Sequence, residues 1–150
     1  MNLTNFRFET DMDGIALLTW DMPGRSMNVI NPLVIDEIEQ VIGHVAAASE
    51  IKGCVIASGK ENFSAGADLS MLQTAAEEYQ KAGREKGEEE ATRLFFEGAR
   101  RLSSVFRKLE TCGKPFAIAI QGLCLGGAFE LALSCHFRIA ADDGKTRVGL

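Results

Sequence analysis

The reading of the fold turns on Pro115 to Ala141, "PFAIAIQGLCLGGAFELALSCHFRIAA". Its first part, Pro115 to Gln121, is a short apolar run bounded by proline and glycine, which predicts a buried strand. Gly126-Gly127 then opens an apolar helical segment, "GGAFELALSC", and "HFRIAA" reads as a further strand. Strands alternating with helices predict an α/β domain. One carboxylate, Glu130, stands inside this otherwise apolar run. Backbone N–H groups at a helix start have no partner within the helix, and the macrodipole adds partial positive charge there, so the turn at Gly126-Gly127 is suited to an oxyanion. Glycine also lets a ligand approach the backbone, and a carboxylate one turn further on is a candidate general acid or base. The plainer alternative is that Glu130 only complements the helix dipole, an effect of at most ~1 kcal/mol.

A second stretch repeats the arrangement. "ENFSAGADLSML", Glu61 to Leu72, follows the apolar run "KGCVIAS" (Lys52 to Ser58) and passes through Ala65-Gly66-Ala67 into a helical segment, with Asp68 placed to cap it. Two helix starts supply two backbone donors, an arrangement that stabilises an enolate oxygen without a metal.

The remaining chain fits the α/β reading. "FRFETDMDGIALLTW" predicts a hairpin about Asp13-Gly14, with Ile15, Leu17 and Thr19 on one face. Asn31-Pro32 opens a helix ending near Ala48, with Leu33, Ile35, Ile38, Val41, Ile42 and Val45 at helical spacing. From Leu69 to about Glu110 the composition is helical, with a break expected at Gly83 or Gly87. Its middle, "EEYQKAGREKGEEEATR", alternates in charge sign and reads as a solvated face.

At 150 residues and a formal charge of −5, the chain has the size of one globular domain and lacks the clustered cations of a nucleic-acid binder. No basic leader followed by an apolar segment opens it, and no apolar stretch reaches bilayer length, so a cytoplasmic protein without a membrane span is expected. Cys54, Cys112, Cys124 and Cys135 lack paired spacing and read as reduced structural thiols, and no metal site is expected.

"FSAGADLSML" and "GLCLGGAFELALSCHFRIAADD" resemble the two signature segments of the crotonase, or enoyl-CoA hydratase/isomerase, superfamily. The early hairpin, "MNVIN", the following helix and "KGCVIAS" fall in that family's order, and the ending "RVGL" resembles the hydratase segment of multifunctional fatty-acid oxidation α-subunits. The resemblance implies a crotonase (ClpP-like) fold of repeated ββα units, with residues 1–150 the N-terminal part of one such domain. It implies that the N–H groups of Ala67 and Gly127 form an oxyanion hole for an acyl-CoA thioester. Ala65, Gly66, Asp68, Leu69, Ser70 and Gly126 would line the substrate pocket, and Glu130 would help activate the water added at Cβ. A second glutamate of that family lies in a Gly-x-Pro-Glu segment expected just past Gly149-Leu150. Arg25, Met27 and Lys60 are candidate contacts for coenzyme A, which is part of the substrate, and no separate cofactor is implied. A trimer, a dimer of trimers or a β-oxidation complex is the implied assembly. The alternatives are an isomerase, a catalytically silent member, and an α/β-hydrolase in which Gly122-Leu-Cys-Leu-Gly126 is a nucleophile elbow carrying Cys124.

Overall fold

In the computed structural model, which describes residues 1–150, Phe6–Thr10 (β1) and Ile15–Trp20 (β2) pair antiparallel across the expected turn. Both faces of β2 carry apolar side chains, so alternation alone cannot say which one is inside. The structure buries Ala16, Leu18 and Trp20, and leaves Ile15 and Leu17 on the opposite face, 39% and 38% exposed. Pro32–Ala47 (α1) starts as the sequence predicts: Asn31 Oδ1 accepts from the Val34 N–H at 2.9 Å, and Pro32 occupies the first turn, where its missing N–H costs nothing. Val34, Ile35, Ile38, Val41, Ile42 and Val45 are buried, each contributing roughly 1.5–3 kcal/mol by leaving water, whereas Leu33 is exposed.

Gly53–Ser58 (β3), Phe116–Ile120 (β4) and Phe137–Ala140 (β6) join β2 in a sheet of order β1-β2-β3-β4-β6, parallel from β2 onward. Between β3 and β4 lie Leu69–Lys86 (α2) and Glu88–Thr111 (α3), separated at Gly87, whose φ of 90° ends the first helix. Two short strands escape the sequence reading, Leu123–Leu125 (β5) and Arg147–Gly149 (β7), which pair with each other, and Gly127–Ser134 (α4) follows β5. The order is thus α/β with ββα units.

One core of 27 residues unites the inner faces of the sheet, α1, α4 and the C-terminal turns of α3. Packing is uneven along the helices. In α3 only Ala91, Val105, Phe106 and Leu109 are buried, and α2 buries no residue, in keeping with its alternating charges. Every residue of β6 is exposed at the sheet edge, Phe137 and Ile139 included. Glu37 is buried on α1 and accepts from the Thr4 and Asn5 N–H groups and from Asn5 Nδ2, tying the N-terminal segment to the helix. No helix is long and apolar enough to cross a membrane.

Candidate active site

Three backbone segments run side by side toward the two helix starts. The loop after β3 pairs with β5: the Phe63 N–H donates to Gln121 O at 2.9 Å, Ser64 N–H to Leu123 O at 2.9 Å, and Leu125 N–H to Ser64 O at 3.1 Å. On its other side it pairs with residues 28–30, through Ala65 N–H to Asn28 O at 3.0 Å, Ile30 N–H to Gly66 O at 2.7 Å and Asp68 N–H to Ile30 O at 2.8 Å. At Gly66, with φ of 88°, an added Cβ would sit 2.7 Å from Leu125 O and 3.5 Å from Gly126 Cα. Only glycine permits that approach, and it brings the two loops together where each turns into a helix.

Within this ladder the Ala67 N–H, between two bonded neighbours, donates to nothing, and the Gly127 N–H at the first position of α4 is likewise without an acceptor. The two donors expected from the sequence are thus present on adjacent helix starts, with both dipoles favouring negative charge there. Gly127 is flanked by Ile30 and Leu102: a Cβ at Gly127 would lie 3.1 Å from Ile30 Cδ1 and 3.5 Å from Leu102 Cδ2.

Glu130 lies in the first turn of α4, its N–H bonded to Gly126 O at 3.0 Å. Its carboxylate makes no hydrogen bond and no ion pair, is open to solvent, and has Oε2 3.6 Å from the Cβ position above Gly127. It is therefore free to hold a water beside the donor pair. Asp68 caps α2 through Oδ1, which accepts from the Ser70 N–H at 3.0 Å and its hydroxyl at 2.7 Å, while Oδ2 meets Arg25 at 3.0 Å. The Ser70 bonds and then the Arg25 guanidinium hold this carboxyl below the usual carboxylate range.

A cavity of about 1090 Å³ adjoins the site, walled by α2, α3 and the start of α1. Asp68, Ser70 and Arg25 line it. Leu69 does not: its side chain is turned to solvent, 79% exposed, because neighbours on a helix point in different directions. Ala65 and Gly66 act through their backbones in the ladder. Of the candidate coenzyme A contacts, Lys60 is held internally, its Nζ 2.8 Å from both Asp21 Oδ1 and Met22 O, while Met27 is half-buried and does not line the cavity. No three His, Cys, Asp or Glu side chains converge closely enough to hold a metal.

The nucleophile-elbow alternative fails on burial. Cys124 is completely inaccessible within β5, and burial pushes its thiol up to about 11, the opposite of an activated thiolate. The one histidine beyond it, His136, uses Nδ1 to accept from the Phe116 N–H at 3.1 Å.

The residue the sequence did not single out is Asn28, fully buried. Its Oδ1 accepts from the Met22 N–H at 3.0 Å, and Nδ2 donates to Trp20 O at 2.9 Å and to Ser58 Oγ and Phe63 O at 3.1 Å. One amide thus ties the ends of β2 and β3 to the loop carrying Ala67. Ser64 adds an Oγ donation to Asn28 O at 2.9 Å. The only local signal was a polar residue amid the apolar "MNVI".

The sequence pattern of the enoyl-CoA hydratase/isomerase family matches residues 10–148. Among curated relatives, the fatty acid oxidation complex subunit alpha of Shewanella frigidimarina is 42% identical over 139 residues, covering 92% of this chain and 18% of that protein. The subunit of the same description from Shewanella oneidensis matches with the same identity and coverage, so the chain spans 18% of the length of both. The fold is similar to that of an enoyl-CoA hydratase crystal structure from Shewanella pealeana, with TM-score 0.76 and 23% identity over 92% of this chain and 47% of that one. An enoyl-CoA hydratase/isomerase from Xanthobacter autotrophicus is 27% identical with TM-score 0.75, covering 95% and 48%. A family pattern that matches residues 10–148 and runs through both helix starts means that this chain belongs to the enoyl-CoA hydratase/isomerase family.

Proposed function

We propose that this chain carries the thioester-binding part of an enoyl-CoA hydratase acting on trans-2-enoyl-CoA in fatty-acid β-oxidation, within a multifunctional protein of the kind its fatty acid oxidation relatives are named for. The observation that carries the reading is the pair of unpartnered N–H groups, Ala67 and Gly127, with an unpartnered Glu130 carboxylate beside them. Adding water across the conjugated double bond moves charge onto the thioester oxygen. Two preorganised N–H donors meet that charge as it develops, and losing one such donor costs about 2.7–4 kcal/mol in the barrier. Glu130 takes the role of positioning and deprotonating the water that attacks Cβ, a contribution of roughly 10²–10⁴ in rate. A second carboxyl must protonate Cα, and this reading places it past Leu150, in the remainder of a domain of which residues 1–150 are the N-terminal part. An isomerase has less use for a carboxylate at Glu130, which favours the hydratase.

Water and the acyl-CoA are the only reactants in this scheme, with no separate cofactor. Arg25, which lines the cavity and pairs with Asp68, is the cation proposed to meet a coenzyme A phosphate. A cytoplasmic trimer, or a dimer of trimers, within a β-oxidation complex is the assembly proposed. In the chain extended past Leu150, trans-2-enoyl-CoA is expected to lose its conjugated-thioester ultraviolet absorbance. A folded extended protein that leaves short, medium and long enoyl chains unchanged overturns the hydratase reading in favour of an isomerase or a silent member.

A further inference from the structure

The two donors of the site are held by different means. A trans peptide directs its C=O and N–H to opposite sides, so whatever binds the carbonyl also aims the amide. For Gly127 the carbonyl of the same peptide is Gly126 O, which accepts from the Phe129 and Glu130 N–H groups at 2.8 and 3.0 Å, inside one helix turn. For Ala67 it is Gly66 O, which accepts from the Ile30 N–H at 2.7 Å, on a segment far earlier in the chain. Both bonds also polarise their peptides and strengthen the N–H on the other side. The aim of the Ala67 N–H therefore depends on how residues 28–30 lie against the loop.

The Asn28 amide ties that segment only to the beginning of the loop, at Phe63 O. Closer to the donor, the side chain that spans the two is Ser64. It is fully buried, and its Oγ donates to Asn28 O at 2.9 Å and accepts from the Gly66 N–H at 3.2 Å. No backbone carbonyl takes the Gly66 N–H, so this hydroxyl is its acceptor. The Ser64 backbone is bonded to Leu123 and Leu125 on the opposite side. One serine thus joins β5, the loop and residues 28–30 immediately before the peptide that carries the donor. Its neighbours Phe63 and Cys124 are apolar, so packing alone asks for no hydroxyl here.

We propose that Ser64 is a positioning residue for the reaction: its hydroxyl holds the loop so that the Ala67 N–H meets the thioester oxygen, without itself touching substrate. The inference rests on the hydratase reading for the reaction it serves. Without the hydroxyl the Gly66 N–H is buried and unpaired, and the loop relieves this by rotating about Gly66, which lacks the Cβ that restrains other residues. That rotation turns the Ala67 N–H aside, while the Gly127 N–H, fixed within its own helix turn, stays in place.

The test is Ser64→Ala in the chain extended past Leu150, beside Ile42→Val, a core variant on α1 that lowers stability away from the donors. In Ser64→Ala, kcat for crotonyl-CoA is expected to fall by about tenfold or more, a part of the roughly 10²–10³ that losing an oxyanion donor outright costs, with KM within a few-fold of the parent. Ile42→Val should keep the parent kcat. A vibrational signature accompanies the rate, because hydrogen bonds to the thioester oxygen lower its carbonyl stretch. The band of bound, carbonyl-labelled butyryl-CoA is expected to lie below its solution frequency in the parent and to return part of the way in Ser64→Ala. A purely structural role moves only the melting temperature, and kcat or the band at its parent value overturns the inference. If Ser64→Ala does not fold, Ser64→Cys, close in size but a weaker donor and acceptor, takes its place, with the same two changes expected and either one's absence equally decisive. If the parent turns over no enoyl-CoA, the hydratase reading falls by itself and the butyryl-CoA band decides alone. A band lowered in the parent and less lowered in the variant upholds the role of Ser64; the same band in both overturns it.

Discussion

Between Phe63 and Asp68 the backbone is bonded to neighbours on both sides, and the side chain that joins those neighbours, Asn28, is fully buried; from Leu69 to Lys86, directly after, the helix buries no residue at all. The two regions meet at Asp68 yet are built differently. Oxyanion stabilisation depends on donors fixed before charge develops, and a ladder bonded on both sides of the Ala67 N–H, which itself stays unpartnered, provides that fixity. A cavity wall needs only to present apolar surface, and elements with few buried contacts open at low free-energy cost. In this fold the unpartnered N–H groups sit beside a backbone ladder outside the main sheet, and α2 and α3 wall the neighbouring cavity.

The largest effect that sharpens the comparison belongs to the fixed region. Glu130→Gln keeps the size and the helix, so it is expected to lower kcat by about 10²–10⁴ in the extended chain, with KM and melting temperature close to the parent. Turnover within a few-fold of the parent would make Glu130 a helix-start carboxylate and nothing more.

Next in size is a stability contrast. Asn28→Ala leaves the buried Met22 N–H and Phe63 carbonyl without their side-chain partner, each unsatisfied group costing about 1–3 kcal/mol, and removes one of the two bonds to Trp20 O, which keeps the Gly59 N–H. A loss of about 3 kcal/mol or more is expected in denaturant unfolding. Leu72→Ala, on a half-exposed position of α2, is expected to stay within about 0.5 kcal/mol. Equal losses at the two sites would break the distinction between a fixed ladder and a loosely packed hairpin.

The last test concerns three buried thiols. Burial pushes Cys54 and Cys135 up to about 12 and Cys124 up to about 11, from an ordinary value of 9.0. Above pH 9 the unfolded chain releases these protons while the folded chain keeps them. Unfolding free energy therefore falls as pH rises from 9 toward 11–12, and is insensitive to these groups below 9. Cys112, half-buried on the α3 side, is expected to react with a thiol reagent first, and the other three only on unfolding. Prompt reaction of Cys124 would show that the ladder opens in the native state.

The sequence by itself determined the local elements. Asn31-Pro32 announces α1 because capping and a fixed proline φ act within one turn. The apolar runs at Lys52 to Ser58 and Pro115 to Gln121 announce strands for similarly local reasons, and the glycines at 66, 87 and 126 mark turns that other residues resist. The two helix starts and Glu130 were legible because each lies within a dozen residues of its strand. What tertiary structure alone decided is whatever depends on residues far apart in the chain. Both faces of β2 are apolar, and the core, not the alternation, selected Ala16, Leu18 and Trp20. Leu123–Leu125 becomes a strand because Arg147–Gly149 arrives beside it. Asn28 matters only once the ends of β2, β3 and the Ala67 loop converge on its amide. The cavity exists because α2 and α3, both highly charged in sequence, turn their small and aromatic residues toward each other across a space no local pattern describes. Backbone preferences are set by neighbours in sequence, and burial by neighbours in space.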